Sequence, residues 1–171
     1  MVQVGYTVKG TDAINRHLDA ILSKLTDNGS DGLKQALAFK GLTTAAAKFA
    51  TAQYDGTNDV MVQQPYSEGD AVILEARGEA VAFIEFGTGV HYSEEHPKAA
   101  ELGMIRGGYG YHLGNLDSWR YVGDPGTNGV EDDRHPGYIK THGNPPARAM
   151  YEAGKEMRNE LAETAREVLR K

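Results

Sequence analysis

The sequence predicts an α+β fold, with a small, mostly antiparallel sheet packed against two or three helices and a long Gly/Tyr/His-rich loop leading into a C-terminal helix. Three observations carry this expectation. Apolar residues recur at helical spacing near both ends, two short β-rich runs flank a turn in the middle, and a glycine excess is confined to one stretch. Glycine supplies 21 of 171 residues, and 12 of those 21 fall within 87–143, so the excess marks a segment rather than the whole chain. The expected organisation is a single domain over 1–171, with 87–143 as an extended loop insertion and interface element.

Residues 2–8 alternate β-branched or aromatic residues with others and read as a short strand. From Asp12 the pattern changes: Ile14, Leu18, Ile21, Leu22 and Leu25 place one apolar stripe on a helix capped by Thr11 and ended by Asp27-Asn28-Gly29. Ser30 or Asp31 is the expected cap of a second, Ala-rich helix. Its buried side should hold Leu33, Ala36, Leu37, Leu42, Ala45, Ala46, Phe49 and Ala52, with a bend at Gly41. Residues 60–64 and 71–76 then read as two strands of a hairpin, joined through Pro65 and Glu68-Gly69-Asp70. Residues 80–86 are apolar and too short for periodicity to decide; a short helix is the expectation.

Between 87 and 143, Gly, Tyr, His, Pro and Asp dominate and apolar contacts are brief, a pattern expected of a functional segment or of one that folds against a partner. Trp119 and Tyr121 are placed on one face of a local hairpin, with turns at Asp124-Pro125-Gly126 and Thr127-Asn128-Gly129. The chain closes with Asn144 as a cap and Pro145 at the first helical position. Ala147, Met150, Tyr151, Gly154, Met157, Leu161, Ala165 and Val168 follow along one long amphipathic helix.

The net charge of −6 has the wrong sign for a protein that wraps nucleic acid over its whole surface. No Cys is present, which removes disulfides, thiolate metal sites and Cys nucleophiles together. No apolar run approaches the ~20 residues of a membrane span, and the N-terminus lacks the order of a signal peptide, so a soluble chain made inside a cell is expected. Charge is uneven. Residues 55–101 hold ten acidic and two basic residues, whereas 138–171 hold seven basic and five acidic, a split suited either to head-to-tail packing of copies around a ring or to ordinary solvated faces.

Signs of catalysis are sparse. Five of six His, namely His91, His96, His112, His135 and His142, share the Gly-rich segment with Glu94, Glu95 and Glu131-Asp132-Asp133, but no spacing typical of a metal site appears among them. The plain alternative is that His and Tyr act as amphipathic contact residues. Ser23, Ser30, Ser67, Ser93 and Ser118 stand outside any nucleophile motif, and Gly87-Thr88-Gly89 and Gly107-Gly108-Tyr109-Gly110 read as tight turns rather than phosphate cradles. Glu79 and Glu85 carry no sign of proximity as a carboxylate pair. The enzymatic alternative is a metal-assisted hydrolase using His91, His96 or His112 with Glu94 or Glu95.

Two stretches go beyond composition. Glu85-Phe86-Gly87-Thr88 follows the hairpin, and Pro145-Pro146-Ala147, with Met150 beyond it, opens the last helix. In this order, behind a leading pair of helices, they resemble the tail-component family of long-tailed double-stranded DNA phages, whose members are neck or tail-completion proteins that join head to tail. The chain departs from the family's pattern before the first hairpin strand, where it has only Tyr54-Asp55-Gly56-Thr57-Asn58.

The resemblance implies a non-enzymatic, cofactor-free virion subunit, made in the bacterial cytoplasm. It would form a ring, a hexamer, at the head-to-tail junction. Its implied neighbours are a head-side connector and a tail tube or terminator protein, with DNA passing through without sequence-specific binding. Tyr109, Tyr111, His112, Trp119 and Tyr121 are the candidate interface residues. Glu85, Phe86, Gly87, Thr88, Pro145 and Pro146 are expected to be structural, with Glu85 capping a nearby backbone or pairing with an arginine such as Arg148.

Overall fold

The computed structural model describes residues 11–27, 29, 32–52, 58–92, 95–106, 108 and 116–170. The strand expected at 2–8 lies outside the described residues, as do Tyr109, Tyr111 and His112. The architecture is α+β, with helices and small antiparallel sheets.

Helix α1 spans Thr11–Thr26 and α2 spans Leu33–Thr51. Gly32, in extended conformation, takes the N-cap position of α2 without a side-chain cap, in place of the expected Ser30 or Asp31. The inward line of α2 is Ala38, Gly41, Ala45 and Phe49; Ala46, expected inside, is exposed. The helix runs through Gly41 without interruption. A Cβ there would stand 2.9 Å from Leu74 Cδ2 and 2.9 Å from Met157 Sδ, so the missing side chain serves close packing of the hairpin and the C-terminal helix on α2.

A hairpin forms around Gly69-Asp70, but in two registers, and Tyr66–Glu68, expected as part of the connection, is a strand. Strands β1 (Met61–Val62) and β4 (Ala76–Arg77) pair at its base, and β2 (Tyr66–Glu68) and β3 (Ala71–Ile73) pair at its tip around Gly69-Asp70. Three residues lie between Val62 and Tyr66 where two lie between Ile73 and Ala76, so the chain bulges at Gln63-Gln64-Pro65, where proline has no N–H to give the ladder. Asn58 and Asp59 precede the hairpin and close two helices at once. The Asn58 side-chain amide donates to the Phe49 carbonyl of α2 (2.6 Å), while the Asp59 carboxylate accepts from Glu79 N–H (2.6 Å) and Ala80 N–H (2.9 Å) at the start of α3 (Val81–Phe86). Those backbone donors hold the Asp59 carboxyl below its usual range.

The Gly-rich segment contains a sheet of its own. Strand β7 (Ile139–Thr141) lies at its centre, with β5 (Trp119–Tyr121) on one side and β6 (Gly129–Glu131) on the other, both antiparallel to it. Trp119 and Tyr121 do share a face, but of a three-stranded sheet in which they oppose Thr141 and Ile139, not of a local hairpin. The Asp132 carboxylate fastens this sheet. It accepts from the Arg120 guanidinium, from Arg134 N–H (2.9 Å) and from His135 Nδ1 (3.2 Å), and these partners, Arg120 foremost, pull its pKa down to about 2.

The long C-terminal helix is two helices, and it begins later than expected. Helix α4 covers Ala149–Asn159 and α5 covers Leu161–Arg170; Glu160 between them leaves the α pattern while its side chain pairs with Lys40 on α2 (2.9 Å). Residues 144–147 are not helical, because Asn144 and Pro145 each precede a proline, and that neighbour disfavours helical backbone. The core gathers where α2, α3 and α4 meet: Ala45, Phe49, Ala52, Ile84, Ala149 and Ala153, with Val60, Val62, Leu74 and Met150 packed around them.

Candidate functional site

Glu85, near the end of α3, is 5% exposed, and a carboxylate there costs several kcal/mol unless its oxygens are met by donors. Three donors meet it. Met150 N–H donates to Oε2 (2.9 Å), Tyr151 N–H to Oε1 (3.0 Å), and His96 Nε2 lies 3.1 Å from Oε1. The first two are orphan amides of the first turn of α4, so Glu85 performs from a distant helix the task expected of Asn144, and its charge complements the helix dipole. His96 is 3% exposed. Lys98 N–H donates to its Nδ1 (3.0 Å), which therefore carries the lone pair, and so the proton sits on Nε2 and points at Glu85. The imidazole packs against Phe86 (ring centroids 4.4 Å apart) and edge-on to Tyr151 (5.5 Å).

Beyond Glu85 the two motifs run side by side. Thr88 N–H donates to the Asn144 carbonyl (2.9 Å), Asn144 N–H donates to Thr88 Oγ1 (3.0 Å), Ala147 N–H to the Ile84 carbonyl (2.8 Å) and Arg148 N–H to the Glu85 carbonyl (3.2 Å). The approach is so close that a Cβ on Gly143, whose φ is +103°, would lie 2.1 Å from the Thr88 carbonyl oxygen. Arg148 takes left-handed backbone (φ 56°) to turn from this ladder into α4. Glu85, Phe86, Gly87, Thr88, Pro145 and Pro146 thus form one clamp that fixes where the Gly-rich segment leaves the helical layer and where it returns. Glu85 caps backbone, one of the two roles expected of it; Arg148 meets it through main chain.

Comparison of the chain with family models, curated proteins and solved structures returns no match.

The histidines separate. His96 belongs to the clamp, with both ring nitrogens engaged in the interior. His135 joins Asp132. His91 and His142 meet at Asp117: His91 Nε2 is 3.0 Å from Asp117 Oδ1, His142 Nδ1 is 2.9 Å from the Asp117 carbonyl oxygen and 3.5 Å from Oδ2, and the two rings are 5.5 Å apart. All three side chains are exposed. Of the residues considered for metal-assisted hydrolysis, His91 and His96 take different partners and Glu95 is exposed; His112 and Glu94 lie outside the described residues. Trp119 and Tyr121 are half-buried, and the Tyr121 hydroxyl donates to the Asp124 carbonyl (2.9 Å).

Sequence reasoning had singled out Glu85 but not His96 as its partner, nor Asp117 with His91 and His142. Their separations of 11, 26 and 25 residues follow no helical or strand period, so no local signal announces them.

One surface is conspicuous beside these clusters. On α1, Ile14, Leu18 and Leu22 are spaced along a single face and are 56%, 55% and 59% exposed. An open groove of about 450 Å³ between α2, β3 and α4 is likewise mostly apolar, lined by Leu37, Val72, Ile73, Met150 and Met157.

Proposed function

We propose that this chain is a structural subunit of a long-tailed phage, a neck or tail-completion protein that assembles into a ring at the head-to-tail junction and works by docking rather than by turnover. The observation that carries the reading is α1. Its apolar face is laid out for burial, yet Ile14, Leu18 and Leu22 are more than half exposed, while Ile21 and Leu25 of the same face are half-buried. A helix with such a stripe is stable when another surface covers it, and a neighbouring subunit supplies one.

Three further features support the reading. The acidic stretch 55–101 and the stretch 138–171, with seven basic and five acidic residues, offer unlike charge balances to successive copies. The clamp spends Glu85 and His96 on holding two chain segments together, which is the work of a scaffold. The Glu85-Phe86-Gly87-Thr88 and Pro145-Pro146 stretches, similar to those of tail-component proteins, are the two halves of that clamp.

The test is genetic and morphological. In a phage carrying this gene, a nonsense mutation should yield filled heads and finished tails that sediment separately under non-suppressing conditions. The wild-type chain supplied in trans should restore whole particles, and Leu18→Glu should not, although that chain folds. Normal virions from the nonsense mutant would refute the assignment.

A further inference from the structure

We propose that His91, Asp117 and His142 form a binding site for a first-row divalent cation of the zinc class, and that the ion fastens the start, middle and end of the Gly-rich segment to one another. The site is independent of the assembly reading.

The donor set is two imidazoles and one carboxylate; zinc and its neighbours accept both donor types, whereas magnesium and calcium take oxygen ligands and do not favour imidazole nitrogen. Spacing agrees as well. Ligand atoms about 2.0–2.2 Å from a tetrahedral or octahedral ion stand roughly 3.0–3.5 Å apart. His91 Nε2 and Asp117 Oδ1 are already 3.0 Å apart, and one ligand atom from each of the three residues lies within 4.8 Å of the other two. Closing that gap takes about 1–2 Å of side-chain movement, which exposed side chains can make. The Asp117 carbonyl oxygen holds the His142 ring at Nδ1 (2.9 Å), the kind of outer contact that orients a metal-binding imidazole. Water would complete the coordination, because the cluster faces solvent.

Placement gives the ion a mechanical consequence. His91 follows the Thr88–Asn144 ladder, His142 precedes it on the other side, and Asp117 lies two residues before β5. One ion would therefore close two loops, of 26 and 25 residues, at the mouth of the clamp.

The experiment uses the full-length chain without a histidine tag, stripped with EDTA and titrated with zinc chloride by calorimetry. The expected result is one saturable zinc per chain, not displaced by millimolar magnesium. Affinity should fall at least tenfold in each of His91→Ala, Asp117→Asn and His142→Ala and stay unchanged in His135→Ala. Zinc should also slow amide exchange around residues 90–92, 116–121 and 139–143 in the wild type but not in Asp117→Asn. No saturable binding, binding that survives all three substitutions, or equal loss in His135→Ala would overturn the site.

Discussion

Replacing Glu85 by alanine should be among the most damaging single changes available to this chain, and the structure sets its size. The substitution removes an acceptor from Met150 N–H, Tyr151 N–H and His96 Nε2–H in surroundings where the carboxylate is 5% exposed and the imidazole 3%. A buried donor left unpaired costs about 1–3 kcal/mol, and bonds to a charged acceptor sit at the upper end. Simple addition would give about 3–9 kcal/mol, but the three donors share one acceptor and relax together, so the expected loss is about 4 kcal/mol.

Against a typical stability of about 5–15 kcal/mol this is a large fraction, equivalent to a fall of roughly 10 °C in Tm for a chain of this length. Glu85→Gln keeps the volume and one carbonyl acceptor but turns an amide N–H towards another donor, so it should cost about 2 kcal/mol. Urea unfolding at fixed protein concentration, followed by circular dichroism, gives both values. Hydrogen exchange should show the Met150 and Tyr151 amides losing protection before the rest of α4 in the Gln variant. A loss below about 1 kcal/mol for Glu85→Ala would mean that the carboxylate does not hold the helix, and the account of the clamp would fail.

Two further outcomes are expected. Gly143→Ala should destabilise by about 2–4 kcal/mol, because φ is +103° and the new methyl would meet the Thr88 carbonyl oxygen at 2.1 Å; Gly137→Ala, at φ +87° with nothing within 4 Å, should cost only about 1 kcal/mol, and equal losses in the two would refute the close approach. The Asp132 carboxyl should titrate at about 2 by NMR instead of 3.8, and Arg120→Ala should move the midpoint back up. A depressed folded-state pKa stabilises above the unfolded value, so this contribution is fully present above about pH 4 and is lost as pH falls towards 2; a wild-type midpoint near 3.8 would remove it.

What could be read from the chain depended on whether the signal was local. The helical stripes of α1 and α2 and the hairpin around Gly69-Asp70 each announce themselves within a few neighbouring residues, and each forms; the short helix before Gly87, which periodicity leaves undecided, forms as well. The beginning of the last helix was misplaced by a real local rule: proline after asparagine suits a helix start, but here Asn144 is bonded to Thr88, more than fifty positions earlier, and the cap comes from Glu85. The sheet of β5, β6 and β7 escaped notice because each strand has three residues, too few for alternation to register, and its central strand is the last in sequence. Periodicity marked the stripe on α1 correctly, yet could not say that Ile14, Leu18 and Leu22 stay more than half exposed while Ile21 and Leu25 are half-buried.

The ladder between Thr88 and Asn144 has an evolutionary corollary. Departure and re-entry at one doorway mean that what lies past the turn packed on Glu85 can lengthen, shrink or be swapped with little effect on the helices beneath, since doubling a loop adds only about 0.6 kcal/mol of closure entropy. The frame can thus stay constant while its outer cassette is retailored to whichever surface it meets.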